Sequence, residues 1–312
     1  MENRIGFSVG NYGQQGDLDA LGKRIAQQVD MGANFCELNA SNLDAVSACR
    51  LMPERLAKLK NILARQKIAY SLHAPIAINL MDRPHIEHHL RAAMASLELA
   101  AECDAEIMVL HPGRVHPGHW ADNASNLLAL EAEDLHVLAD RAQNLGVTIA
   151  YENLNPNRHN IAGTETSYAL DLSALANQLS RINHPHLVAC FDVSHAQQGA
   201  TLQGYDVLDK LPDLEPHIGH IHFSDSTGAP ATIKWDNDGE RLFFGIGDMH
   251  AAPGFGTIDF EAIANALKLE KPPGIIIELK GNHYAHSGRQ TLAAAQNFAA
   301  QLSEEIDNPT HQ

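Results

Sequence analysis

Leu187-Val188-Ala189-Cys190-Phe191-Asp192-Val193-Ser194-His195 is the stretch on which the reading of this chain turns. Its apolar run lacks polar alternation, as expected of a strand buried on both faces in a parallel sheet. The run ends in Asp192 and, three residues later, His195, both of types that ligate metal ions. The same event recurs along the chain. Tyr70-Ser71-Leu72-His73 and Ile107-Met108-Val109-Leu110-His111 precede it; Val147-Thr148-Ile149-Ala150-Tyr151-Glu152 leads into it; Ile218-Gly219-His220-Ile221-His222 and Ile275-Ile276-Ile277-Glu278 follow. Six strands delivering His, Asp or Glu at the same end imply one shared site.

Helical periodicity fills the gaps. Leu18, Leu21, Ile25 and Val29 lie on one face of a helix expected from Leu18 to Met31. Further helices are expected over 53–66, where Pro53 suits a first turn, 84–103, 123–145 closed by Gly146, 167–179, 202–211, 259–267 and 288–302. With strands at Ile5 to Val9 and Phe35 to Leu38, eight strands alternate with eight helices. That is the pattern of an α/β protein, a (β/α)₈ TIM barrel, read here as a single domain over residues 1–312 with a long insertion after the seventh strand. The insertion, Ser224 to Thr257, exceeds an ordinary connection and is expected to be a lid or a metal-site arm.

The charge balance is acidic, 22 Lys+Arg against 38 Asp+Glu, a net −16 with neutral His. Such a surface repels phosphate backbones, and no basic patch compensates, so nucleic acid is not expected as a partner. Cys36, Cys49, Cys103 and Cys190 show no C-x-x-C spacing, which favours a reducing compartment. No secretory signal opens the chain and no apolar stretch is long enough to span a bilayer; the expectation is a soluble, cytoplasmic protein without a membrane partner.

The candidate metal ligands are His73, His111, Glu152, Asp192, His195, His222, Asp248, His250 and Glu278. Imidazole and carboxylate suit divalent transition metals, and a catalytic site keeps one position open. Nine residues exceed one mononuclear site, so either two or three metals bind or some of the nine contact substrate. Glu37, at the end of the second strand, and Lys280, at the barrel mouth, are candidate substrate contacts, with His73 and His195. His220, two residues before His222, points the same way and is either deeper barrel filling or a supporting partner.

Taken together, His73-Ala74-Pro75, His111-Pro112-Gly113, Tyr151-Glu152-Asn153, Phe191-Asp192-Val193-Ser194-His195, His220-Ile221-His222-Phe223-Ser224-Asp225 and Glu278 resemble the xylose-isomerase-like barrel superfamily. That superfamily includes sugar isomerases, ketose 3-epimerases and endonuclease IV. Asp248-Met249-His250 through Gly254-Phe255-Gly256 looks like its D-x-H-x-x-x-G-x-G arm. The resemblance implies two readings. In the preferred one, Glu152, Asp192, His222 and Glu278 hold one Mn²⁺, Co²⁺ or Mg²⁺, and Glu152 and Glu278 trade a proton across a sugar or polyol through a metal-stabilised enediolate. In the alternative, all nine residues match the ligands of a zinc phosphodiesterase resembling endonuclease IV, with two to three Zn²⁺. The stretch Asn39 to Ser47 lacks the Arg and aromatic residues of that family's DNA-penetrating loop, which favours the first reading. Barrels of this kind commonly form homodimers or tetramers, and no interface is legible in the sequence.

Overall fold

In the computed structural model, which describes residues 3–10 and 16–307, eight parallel strands close into a barrel. They are β1 (Ile5–Ser8), β2 (Phe35–Asn39), β5 (Ala69–His73), β6 (Ala105–Leu110), β7 (Thr148–Glu152), β8 (Leu187–Asp192), β9 (Ile218–Phe223) and β10 (Gly274–Ile277). Each pairs with the next in this order, and β10 returns to β1. The intervening β3 (Val46–Ser47) and β4 (Arg50–Leu51) form a small antiparallel hairpin after β2 that the sequence reading omits.

The helices pack outside. Expected bounds hold for α1 (Leu18–Met31), which Asp17 caps and Gly32 ends in a left-handed conformation, and nearly so for α2 (Pro53–Leu63) and α3 (Ile86–Glu102). The next, α4 (Pro117–Leu145), starts six residues before the expected Asn123, because Pro117 occupies its first turn and His116 caps Gly118. A four-residue turn, α5 (Arg158–Ile161), follows β7.

Two expected helices are corrected. Residues 167–179 divide into a 3₁₀ turn at Tyr168–Leu170 and α6 (Leu172–Ile182), because Asp171 caps Ser173 and Ala174 and starts the helix there. Residues 202–211 contain the end of α7 (Val193–Gln203), a break at Gly204 with φ of 77°, and α8 (Val207–Leu214), capped by Asp206. The α7 helix is missed by the sequence reading, which ends the strand near Asp192 and expects the next helix only at Leu202. The remainder are α9 (Asp238–Phe244) within the insertion, α10 (Phe260–Ala266) and α11 (Gly281–Asp307).

The main core lies between barrel and helices, with Phe7, Leu21, Leu59, Leu97, Leu135, Tyr151 and Phe191 fully buried. A separate small cluster, Val109, Ala150 and Cys190, fills the barrel interior. Because side chains alternate, the residue two places after each of these, His111, Glu152 or Asp192, also faces inward at the C-terminal rim. All four cysteines are unpaired thiols, and among the described residues no helix is long and apolar enough to cross a membrane.

Candidate metal centre

Strand alternation brings four side chains to one point. A single ligand atom from each of Glu152, Asp192, His222 and Glu278 lies within 4.8 Å of the others. The register makes this necessary for two of them, since Asp192 pairs directly with His222 across the β8–β9 ladder. His222 Nδ1 is 3.1 Å from Glu152 Oε1, 3.5 Å from Glu278 Oε2 and 3.8 Å from Asp192 Oδ2. Glu152 and Asp192 are 1% exposed, whereas Glu278, at 13%, is the most exposed of the four.

Two further groups flank this one. His73, His111 and Glu152 form the first, with Glu152 Oε2 2.9 Å from His111 Nε2 and 3.4 Å from His73 Nε2. His195, Asp248 and His250 form the second, with Asp248 Oδ2 2.6 Å from His250 Nε2 and Asp248 Oδ1 3.7 Å from His195 Nε2. Glu152 thus belongs to two of these three groups, and a fourth set of possible ligands, Cys190, His220 and His222, shares His222 with the four-residue group.

The surrounding bonds fix which nitrogen each imidazole presents. His73 Nδ1 donates to the Ala74 carbonyl at 2.8 Å, leaving Nε2 toward Glu152. His195 Nδ1 donates to the Asn153 carbonyl at 2.9 Å, leaving Nε2 toward Asp248. Asn153 also exchanges side-chain bonds with the Asp192 backbone, so it ties the ends of β7 and β8 together.

The groups would fit a divalent cation. Asp192 Oδ2, Asp248 Oδ1 and His111 Nδ1 are buried polar atoms with no hydrogen-bond partner among the described residues. Burying such carboxylates without compensation costs several kcal/mol each. Without a cation, protons do the compensating. Burial alone would lower His73 and His195, but Glu152 beside the first and Asp192 and Asp248 beside the second raise both to about 9. Burial raises Asp192, and it lowers His111 to about 4 against the pull of Glu152. The donor set, imidazole nitrogen with carboxylate oxygen, matches Zn²⁺, Mn²⁺ or Co²⁺, with Mg²⁺ better served by the carboxylate-rich group.

Three supporting residues escape the sequence reading because their partners are distant. Asp225, quoted only as part of a motif, folds the arm back. Its carboxylate accepts from the N–H groups of Gly254, Gly256 and Ser226 at 2.8 Å each and of Ile258 at 3.3 Å. A Cβ at Gly256 would sit 2.2 Å from Asp225 Oδ1, so only glycine permits this approach. Glu131, on α4, is buried and accepts from Gly113 N, Tyr151 Oη, Tyr168 Oη and Gln178 Nε2, which anchors the turn after His111. Arg158 stacks over Trp235 at 3.9 Å, joining the loop after β7 to the arm.

Glu37 departs from its expected place at the mouth among substrate contacts. Its side chain is fully buried below the ligands, bonded to Ser71, His220 and His222. His220, left open between two roles, is fully buried against it. Lys280 follows β10, and its backbone N–H donates to the His250 carbonyl at 3.2 Å.

The family model described as xylose isomerase-like TIM barrel matches residues 25–301. The chain belongs to this family. An uncharacterized protein of Methanocaldococcus jannaschii is 25% identical over 249 residues, 78% of this chain and 75% of that protein. Inosose dehydratase of Lacticaseibacillus casei is 29% identical over 189 residues, 58% of this chain and 57% of that enzyme. Among solved structures, a D-tagatose 3-epimerase-like protein has a TM-score of 0.70 at 18% identity, covering 97% of this chain and 99% of that one. A xylose isomerase-like barrel protein from Mycobacterium smegmatis, in complex with magnesium, has a TM-score of 0.66 at 14% identity, covering 97% and 98%. At those identities the likeness to solved structures concerns the xylose isomerase-like fold.

Proposed function

We propose that this xylose isomerase-like barrel is a divalent-metal-dependent enzyme that isomerises or epimerises a sugar or related polyol by moving a proton on the carbon beside a carbonyl. The observation that supports the reading is the approach of Glu152 and Glu278 to the same nitrogen of His222, Nδ1, at 3.1 and 3.5 Å, with Asp192 completing the set. A cation held by these four residues would supply Lewis-acid polarisation of the carbonyl and its neighbouring hydroxyl, which acidifies the adjacent C–H. Glu152, whose Oε2 lies 2.9 Å from His111 Nε2, and Glu278 would be the two carboxylates, one to accept that proton and the other to return it from the opposite side of the substrate. In this reading His73 and His195 would hold substrate hydroxyls or a second ion, and Lys280, whose charge is felt by Asp248, would meet an anionic substituent. The inosose dehydratase and the D-tagatose 3-epimerase-like protein, whose names carry a polyol and a ketose, support this substrate class.

A second reading, a hydrolase holding two to three Zn²⁺, is favoured by one observation: the nine candidate ligands fall into three groups, two of which share Glu152. The net charge of −16 opposes a nucleic-acid substrate for it. Incubation with ketoses and inososes in D₂O, beside cleavage of abasic-site DNA, separates the two. Deuterium incorporation dependent on added Mn²⁺, Co²⁺ or Mg²⁺ is the expected result. Strand cleavage without incorporation would replace the first reading by the second.

A further inference from the structure

The two nitrogens of His222 face opposite ways. Nδ1 points up to Glu152, Asp192 and Glu278, while Nε2 points down to Glu37, 3.2 Å from Oε1 and 3.4 Å from Oε2. Glu37 reaches this place from β2, across the barrel interior, and is fully buried. Its Oε2 also accepts from Ser71 Oγ at 3.0 Å and lies 3.3 Å from His220 Nε2. Ser71 stands beside it because Glu37 and Ser71 pair in the β2–β5 ladder. A carboxylate in the barrel interior is costly to bury, and three donors converge on this one.

We infer that Glu37 is a positioning residue, which holds His222 in the tautomer protonated at Nε2 so that Nδ1 presents a lone pair to the cation. An imidazole that ligates through one nitrogen must carry its proton on the other, and the partner of that proton sets ring angle and basicity. Glu37 supplies that partner, with Ser71 and His220 holding its carboxylate in place. Glu37 therefore acts on the metal through His222 and touches no substrate. This rests on the reading that Glu152, Asp192, His222 and Glu278 hold a cation.

The test reads zinc binding and proton position, so it is independent of turnover. Metal-stripped wild type, Glu37→Gln and Glu37→Asp are titrated with Zn²⁺ against a chelator, following the binding step that shifts the His222 ¹⁵N resonances. Glu37→Gln is expected to weaken that step about 10- to 100-fold, and Glu37→Asp to recover part of the loss. In zinc-loaded wild type the His222 proton is expected on Nε2. A folded Glu37→Gln protein binding zinc within about twofold of wild type overturns the inference, as does a zinc-loaded wild type with the proton on Nδ1. Should Glu37→Gln fail to fold, the wild-type spectrum decides. A merely structural Glu37 would lower the melting temperature of the metal-free variant and leave zinc affinity alone, which also overturns it. Wild type without zinc affinity would instead bring down the reading of the four-residue group, and this one with it.

Discussion

Asp192 Oδ1 accepts the backbone N–H of His195 at 2.7 Å, so the residue that ends β8 also caps α7. The cap uses one carboxylate oxygen and leaves Oδ2 turned toward His222. It also explains the three-residue spacing, since an N-cap and the third helical residue lie on one side of the first turn. Asp192→Asn keeps a good cap and removes the charge, whereas Asp192→Ala removes both. Urea melts of metal-free protein should show the alanine variant about 0.5–2 kcal/mol less stable than the asparagine variant. Both should bind Zn²⁺ more weakly than wild type. Equal melts for the two would mean that the cap contributes nothing.

Glu152 serves two ligand groups and Glu278 one. Both Glu152→Gln and Glu278→Gln should lower turnover at least about 100-fold if the carboxylates trade the proton. Only Glu152→Gln should also weaken binding at the His73–His111 group. Elemental analysis together with deuterium incorporation measures both effects, and near-normal exchange in either variant removes its proton-transfer role.

Asp225 tests whether the arm is a metal arm. Removing a carboxylate that accepts four backbone N–H groups takes away the acceptor that draws Gly254, Gly256 and Ile258 back onto Ser226. Asp225→Ala should therefore release Asp248 and His250 from the mouth. Zn²⁺ affinity at the His195–Asp248–His250 group should fall, with the four-residue group retained. Hydrogen exchange of residues 248–258 should quicken; protection equal to wild type would show that the arm is held by other contacts.

The pH response should reverse with metal. Burial opposes the charged forms of His73 and His195, yet the neighbouring carboxylates raise both to about 9, above the roughly 6.5 of an unfolded histidine. A group raised on folding contributes stability that is complete below about pH 6.5 and lost as pH climbs through about 9. Metal-free protein should accordingly melt lower at pH 9 than at pH 6.5. Zinc requires neutral imidazoles, so the stabilisation it gives should grow over the same interval. Calorimetry of stripped protein that stays flat across this range would contradict the assignment.

The barrel and most of its rim were legible in the chain. Short, largely apolar runs ending in His73, Glu152, Asp192 or His222 carry their own burial signal, and period-two alternation states which residues share a face. The α7 helix was not legible, because the residues after Asp192 mix polar and small side chains without a clear helical apolar face and only the cap reveals the turn. The start of α4 was hidden by Pro117 and Gly118, which read as loop until His116 is seen to cap them.

Residue types and strand order were thus enough to determine a closed parallel sheet and the end at which imidazoles and carboxylates collect, since both follow from local periodicity. Tertiary structure alone decided that Glu37 lies beneath His222 rather than at the mouth, that Asp225 returns the arm, and that the nine candidates fall into three groups, two of which share Glu152. Hydrogen bonds spanning 185 residues, as between Glu37 and His222, depend on how strands meet across the barrel, and no window of sequence contains that distance.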